Sequence, residues 1–235
     1  MRSTRTIGLL GGMSWESTIG YYQRINEGIK RELGGLHSAK LLLHSVDFAP
    51  IEAMQASGDW AAMGEMLAEA AVGLQQAGAQ CLLIATNTMH KVAPAVEQAL
   101  AIPLIHIADA TGQYLVDTGH RTVGLLGTAF TMEQDFYRQR LAERFDLKVL
   151  IPEPSDRAVV HDVIYRELCL GHVKPDSRAH YVRIIEQLQQ AGAESVILGC
   201  TEIGLLVCER DTTVPLVDTT AIHADAAVAF ALENS

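Results

Sequence analysis

The feature that most restricts this chain is an internal repeat. Thr6-Ile-Gly-Leu-Leu-Gly11 returns as Thr122-Val-Gly-Leu-Leu-Gly127. Gln76-Ala-Gly-Ala79, with a strand turning at Thr86-Asn87-Thr88, returns as Gln190-Ala-Gly-Ala193, with a strand turning at Cys200-Thr201-Glu202. Ile102-Pro-Leu104 matches Val214-Pro-Leu216. The pairs keep their order at offsets of 116, 114 and 112 residues, so the chain reads as two copies of one unit. With 235 residues, 49% of them apolar, there is material for a core in each copy.

Short apolar runs bounded by glycine or proline alternate with amphipathic stretches of ten to twenty residues, which predicts βαβ units and parallel sheets. Expected strands are 6–10, 40–45, 80–85, 104–106, 122–126, 148–151, 195–199 and 216–217. Expected helices are 17–33, 60–77, 92–100, 133–145, 157–170, 177–191 and 221–232. The fold class is therefore α/β: two similar domains with mainly parallel sheets, related by a pseudo-twofold axis, with an active site in the cleft between them. The boundaries expected are 1–108 plus 209–235 for a discontinuous first domain and 109–208 for the second.

Eighteen basic against 28 acidic residues leave a formal charge of -10, which argues against nucleic acid or an anionic membrane as partner and for a small molecule. The apolar stretches fall far short of the roughly 20 residues of a membrane-spanning helix. The start, Met1 to Thr6, runs quickly into Gly11-Gly12 and reads poorly as a secretory signal. Four cysteines without a Cys-x-x-Cys pair suit reduced thiols in the cytoplasm. The nine histidines show no metal spacing, so no metal is expected.

Ligands of open α/β sheets bind beyond the carboxyl ends of the strands, where Thr86-Asn87-Thr88 and Cys200-Thr201-Glu202 fall. The gap-free alignment from Gln76 and Gln190 pairs Thr86 with Cys200, so two protic side chains are expected to flank one ligand. A cysteine at a strand-to-helix turn lies near main-chain N–H groups and a helix dipole, which lower a thiol pKa from about 8.5 toward neutrality. Cys200 is then a base or nucleophile; the competing reading is a buried structural cysteine, which is how Cys81, Cys169 and Cys208 are read. Asn87, Thr88 and Thr201 offer neutral donors for a carboxylate, or else serve as ordinary caps. Gly8-Leu-Leu-Gly-Gly-Met-Ser14 lacks the dinucleotide-binding spacing, and its glycines are expected to let the backbone approach a small ligand. His90 either orients the site or caps a helix.

Together, Gly8-Leu-Leu-Gly-Gly-Met-Ser14, Asn87-Thr88-x-His90, Leu125-Leu-Gly-Thr128-x-x-Thr131 and Gly199-Cys200-Thr201-Glu202 resemble the aspartate/glutamate racemase family of cofactor-independent amino-acid racemases. The resemblance implies two α/β domains with the site between them, no cofactor, an amino acid as substrate and, as is common in the family, a homodimer. It implies catalytic roles for Cys200 and Thr86, and substrate contacts from Met13, Ser14, Asn87, Thr88, Thr128, Thr131, Thr201 and Glu202. Where the usual pattern has a cysteine before Asn-Thr this chain has Thr86, as in a branch that is L-aspartate/glutamate-specific or broad in substrate. The arginine and lysine that hold a side-chain carboxylate in the better-known branch find no match; Gln55 and Cys169 stand there instead. The function implied is racemisation at Cα, aspartate and glutamate favoured, with Cys200 deprotonating the L enantiomer. Other activities of the superfamily (maleate isomerase, hydantoin racemase, arylmalonate decarboxylase) and a non-catalytic amino-acid-binding protein are the alternatives.

Overall fold

The computed structural model describes residues 4–233. The chain divides into two compact units, one reaching through Ile107 and completed by the segment from Thr220, the other Ala108–Thr219. The first contains β1 (Ile7–Gly11), α1 (Trp15–Leu33), β2 (Leu41–Ser45), α2 (Phe48–Ser57), α3 (Trp60–Gln76), β3 (Cys81–Ile84), a 3-10 turn at Thr88–Val92, and α4 (Ala93–Ala99). Helix α5 (Ile107–Asp117) opens the second. There follow β4 (Thr122–Gly127), α6 (Ala129–Glu133), α7 (Asp135–Phe145), β5 (Lys148–Leu150), α8 (Pro154–Arg166), a 3-10 turn at Leu168–Leu170, α9 (Pro175–Gln190), β6 (Ser195–Gly199), α10 (Ile203–Leu206) and β7 (Leu216–Asp218). Helix α11 (Thr219–Leu232) returns the chain to the first unit.

Both sheets are parallel. The first has the order β2-β1-β3, with a parallel bridge from Leu82 to Leu104 beyond β3; the second has the order β5-β4-β6-β7. The repeat extends to the hydrogen-bonding register. Ile7 lies opposite Cys81 as Val123 lies opposite Ser195, and Leu82 faces Leu104 as Val196 faces Leu216. The main-chain N–H of Gln80 donates to Thr6 O and that of Glu194 to Thr122 O, each at 2.8 Å. The side chains of Gln80 and Glu194 in turn accept from the N–H of Thr6 and Thr122.

β1, β3 and β6 are buried along their whole length, as parallel strands covered on both faces must be. In the first unit the period-2 alternation sorts side chains to two cores. Leu10, Leu82 and Ile84 pack with Ile51, Met63 and Leu67 of α2 and α3. Ile7, Leu9, Cys81 and Leu83 pack with Tyr21, Ile25 and Ile29 of α1 and with Ala224, Ala227 and Val228 of α11. A Cβ on Gly28 would sit 2.7 Å from a Val228 methyl, so glycine is what lets α1 and α11 approach this closely.

Several expectations are refined. The second unit extends through Thr219 rather than ending at 208, because β7 is hydrogen-bonded to β6 and belongs to its sheet. The strand expected at 104–106 is reduced to a single bridge. The helix expected at 133–145 is broken at Gln134, whose extended backbone caps two helices. The helix expected at 157–170 begins at Pro154 and ends at Arg166. α2 and α5 were not anticipated: α2 is announced by its Asp47 cap, which accepts from the Ala49 N–H, and by left-handed Gly58, but an apolar segment such as Phe48–Met54 lacks the stripe that marks a surface helix. Among the described residues no helix is long and apolar enough to cross a membrane.

Beneath the first sheet lies a buried polar contact. The Tyr21 hydroxyl donates to Nδ1 of His223 at 2.8 Å, and Nε2–H of His223 donates to the Ile105 carbonyl at 2.6 Å. Burial lowers the His223 pKa from 6.5 to about 4, against the opposing pull of the Ile105 carbonyl. A ring whose folded pKa lies below its unfolded value contributes fully above about pH 6.5. That contribution is lost as pH falls toward 4, because the unfolded chain binds the proton first. Between pH 7 and 4 the loss amounts to about 3 kcal/mol. Urea unfolding of the wild type and of His223→Gln across that range should show stability curves whose difference narrows by this amount; parallel curves would contradict the assignment.

Candidate active site

Because β1 is paired with β3 and β4 with β6, the turns that follow these strands leave each sheet at one end, side by side. In the first unit these turns carry Met13 and Ser14 after β1, and Thr86, Asn87 and Thr88 after β3, all buried. The β1 turn is drawn tight. Thr18 Oγ1 accepts from the Gly12 N–H and donates to the Ser14 carbonyl, both at 2.9 Å, and Ser17 donates to the same carbonyl. Gly12 has φ +93°, and a Cβ there would run into the Val46 backbone. The glycine expected to admit a ligand is here required by the chain leaving β2: the Val46 main chain occupies the space. Gln55, on α2, is buried and donates to Met89 Sδ at 3.1 Å, which ties it to the Thr88 turn.

The β3 turn is closed by the ring of His90. Nδ1 lies 2.8 Å from the Thr86 carbonyl, while Nε2 accepts from the Ile107 N–H at 3.2 Å. Thr86 N–H donates to Ile84 O, and His90 N–H to Asn87 O.

In the second unit Thr128 caps α6, its hydroxyl accepting from the Thr131 N–H at 3.3 Å and lying 3.2 Å from the Thr131 hydroxyl. Thr131 is fully buried, and Cβ atoms on Gly127 and Gly199 would touch its side chain, so it fills the gap between the ends of β4 and β6. The start of α6 has a partner that spacing did not reveal, His161 of α8, whose Nδ1 accepts from the Ala129 N–H. Burial lowers the pKa of that ring, which keeps it neutral, with its other nitrogen a donor.

After β6, a single carboxylate oxygen organises the turn. Glu202 Oε2 accepts from the Cys200 thiol and from the Thr201 hydroxyl, each at 2.8 Å. Glu202 is 2% exposed and Cys200 9%, so the pair is cut off from bulk water. The thiol pKa is raised well above 9, first by burial, then by the Glu202 carboxylate and the neighbouring Cys169. This reverses the expectation of a thiol lowered toward neutrality. The helix beyond the turn, α10, has four residues, too few to assemble much of a dipole, and desolvation next to an anion outweighs it. Cys169, expected in the core, is partly exposed, in the 3-10 turn that packs against α10. Tyr181 was not singled out by the sequence. Its hydroxyl is buried, donates to Val160 O, and is held well above its usual pKa by burial and then by Cys200.

The second turn is therefore a protonated thiol hydrogen-bonded to a carboxylate that can receive its proton, and the first presents a hydroxyl on a turn closed by a neutral imidazole. Among the described residues, no group of three His, Cys, Asp or Glu side chains is placed to hold a metal ion.

A sequence model described as Asp/Glu/hydantoin racemase matches residues 10–227. The chain is 52% identical to a candidate Asp/Glu racemase from Yersinia pestis of known crystal structure, with a TM-score of 0.90, covering 97% of this chain and 100% of that one. It is 33% identical to PH1733, an aspartate racemase homologue from Pyrococcus horikoshii OT3, with a TM-score of 0.81 over 99% of this chain and 100% of that one. It is 22% identical to the broad specificity amino-acid racemase RacX of Bacillus subtilis, over 94% of this chain and 96% of the relative.

Replacing Glu202 by Gln removes the anion beside the sulfur, so the Cys200 thiol should titrate at lower pH than in the wild type. The rate of iodoacetamide labelling at the Cys200 peptide, followed against pH by mass spectrometry, measures this. An unchanged or higher midpoint would show that Glu202 does not hold the proton on Cys200.

Proposed function

Because the chain belongs to the Asp/Glu/hydantoin racemase family, we propose that it interconverts the enantiomers of an α-amino acid, acidic side chains favoured, by moving protons at Cα between the Cys200 and Thr86 turns. As a family member it is an isomerase. One observation carries the residue assignment. The identical register of β1 with β3 and of β4 with β6 gives Thr86 and Cys200 equivalent places in two copies of one unit, each just past a strand's carboxyl end. We place those copies about a pseudo-twofold axis, with the amino acid between the two turns and its Cα within reach of both side chains. The description of the Pyrococcus horikoshii relative as an aspartate racemase homologue supports an acidic substrate, and that of the Bacillus subtilis relative supports an amino acid over a hydantoin.

Racemisation removes a hydrogen from one face of Cα and delivers one to the other, so two groups are needed on opposite sides. On the Cys200 side the sulfur passes its proton to Glu202 along their 2.8 Å hydrogen bond. The thiolate then takes the Cα proton, and the electron pair left behind spreads onto the substrate carboxylate. Asn87 and Thr88, together with the Thr201 hydroxyl once protonation of Glu202 releases it, donate to that carboxylate and stabilise the charge. On the other face the Thr86 hydroxyl gives its proton to Cα and recovers one from water, and the proton that Glu202 took up is released to that water, so the cycle closes with Glu202 again a carboxylate; the reverse sequence runs from the opposite enantiomer. The charge rests on the substrate's own carboxylate, and pyridoxal phosphate has no part in this scheme. Met13, Ser14, Gln55 and Thr128 line the pocket. Thr131 supports the turn. With all four cysteines unpaired, we place the protein in the cytoplasm; the homodimer is expected from the family resemblance alone.

Proton NMR of single-enantiomer amino acids and hydantoins in deuterated water, with no cofactor added, tests the reading: the α-proton signal should disappear as optical activity decays, fastest for aspartate or glutamate. Cys200→Ala should slow the decay about 100- to 10,000-fold, the range of a general base. An unaffected rate removes Cys200 from the mechanism, and label uptake confined to hydantoins replaces the substrate class. Thr86→Cys should raise turnover from the enantiomer that the Thr86 side deprotonates; no gain would count against the pairing.

A further inference from the structure

We propose that His90 is the positioning residue for Thr86: its buried ring, locked in one neutral tautomer, fixes the main chain of the turn that presents the Thr86 hydroxyl. The proposal rests on the role given to Thr86 above.

The two partners of the ring determine its proton. A carbonyl oxygen only accepts and a main-chain N–H only donates, so the contact with Thr86 O requires hydrogen on Nδ1, and the contact with the Ile107 N–H requires a lone pair on Nε2. A protonated ring would confront Ile107 with a second N–H, so the geometry admits the neutral form alone. The ring does not stand by itself. His106 packs against it with centroids 4.4 Å apart, and His223 lies at 5.8 Å. His223 grips Ile105 O while His90 grips Ile107 N–H, so two rings hold a three-residue stretch whose middle member is His106. Tyr21 fixes the tautomer of His223 from behind. The Thr86 carbonyl is thereby anchored, through His90, to a segment that is itself clamped.

The repeat supplies the control that a helix-capping role would fail. At the offset that pairs Thr86 with Cys200, His90 pairs with Gly204, which has no side chain, and a Cβ built there would find only Asp218 Oδ2, at 3.9 Å. The same strand-turn unit therefore forms without a ring at this place. In the second copy the turn is tied by Glu202, which pairs with Thr88 and binds Cys200 and Thr201 directly. Each copy stabilises its turn differently, and in the first the device leaves the turn uncharged while reaching the carbonyl of the one residue assigned to proton transfer. A hydroxyl is a weak proton donor and acceptor whose usefulness depends on placement, and a displacement of about 1 Å can cost about 100-fold in rate.

Elimination from 3-chloroalanine separates the two faces. Once Cα–H is broken, with the proton passing to the abstracting group, the electron pair forms the C=C bond and chloride leaves. Water then hydrolyses the aminoacrylate to pyruvate and ammonium, so each enantiomer needs only the group on its own side. If 3-chloroalanine is refused, the 3-chloro derivative of the amino acid identified by NMR serves. Cys200→Ala should abolish elimination from one enantiomer and Thr86→Val from the other. His90→Leu should lower the Thr86-dependent elimination about 100-fold and the Cys200-dependent one far less, because the latter uses this turn only for the Asn87 and Thr88 contacts to the carboxylate; the activity retained also shows that the variant is folded. His90→Asn, whose amide N–H sits where Nδ1–H was, should recover much of the loss; His90→Gln, which reaches the Nε2 position, should not. Equal losses on both enantiomers, no loss on either, or Gln outperforming Asn would overturn the positioning role. Should Thr86→Val spare both eliminations, the assignment of Thr86 fails, and this proposal with it; a selective Thr86→Val beside an unselective His90→Leu sinks this proposal alone.

Discussion

In a parallel ladder the strand ends are not free to choose where they finish, because the slanted hydrogen bonds fix each residue against its neighbour. Here that constraint operates twice with one setting. Ile7 against Cys81 and Val123 against Ser195 start the two ladders, and the side chains of Gln80 and Glu194 lock the starts by accepting main-chain N–H groups of the opposing strand. Once the register is set, the residue after Ala85 in one unit and the residue after Gly199 in the other must occupy equivalent positions, whatever their side chains. The equivalence of the two turns is thus fixed by backbone, before any side chain is considered. This is why such different residues as threonine and cysteine can stand in corresponding places.

Within this shared frame the two turns solve the same problem, keeping polar groups ordered away from water, by opposite means. The second unit buries an anion and surrounds it with donors; the cost appears in the thiol, which is driven to its protonated form. The first unit's turn, Thr86-Asn87-Thr88, carries no charged side chain. Its rings are neutral, their tautomers dictated by Thr86 O, Ile107 N–H, Ile105 O and the Tyr21 hydroxyl, and burial alone holds His223 far below its usual titration range. Such an arrangement is consistent with a reaction whose two faces make unequal demands. In the proposed mechanism the sulfur must both lose and regain a proton and needs a nearby acceptor, whereas the hydroxyl mainly needs to be held still.

The parts of this architecture written in the sequence are those that obey a period. Alternating apolar runs such as Ile7–Leu10 and Val196–Leu198 gave strands to within a residue or two, and the repeated Gln-Ala-Gly-Ala gave the pairing of Thr86 with Cys200 and the parallel α/β class. What escaped has no period. α2 lacks an amphipathic stripe, and α5 follows a strand that pairing reduces to one bridge, so neither stood out. The domain boundary shifted because β7 is too short to show which sheet it joins. At the site, position was legible and electrostatics was not. The Cys200 thiol depends on burial and on the side-chain rotamer of Glu202, and the contacts of Thr18, His161 and Tyr181 link residues 6, 32 and 21 positions from their partners. Glu202 was visible as a residue and invisible as the group that governs the sulfur.

The raised thiol also bears on how such a site survives between turnovers. A thiolate is the form that reacts with oxidants and attacks disulfides, and a cysteine kept permanently ionised would be open to both. Cys200 is instead a buried S–H donor to Glu202 at 2.8 Å, the carboxylate that takes its proton in the proposed mechanism. Ionisation then requires a change in local charge, and under the proposed function an amino-acid zwitterion would bring one: its ammonium group would oppose the carboxylate that raises the thiol, while its bulk would exclude the remaining water. The reactive form of the sulfur would thus exist chiefly when there is a Cα hydrogen for it to remove, and the same burial that makes the resting thiol a poor base makes the thiolate, once formed, an unsolvated and correspondingly stronger one.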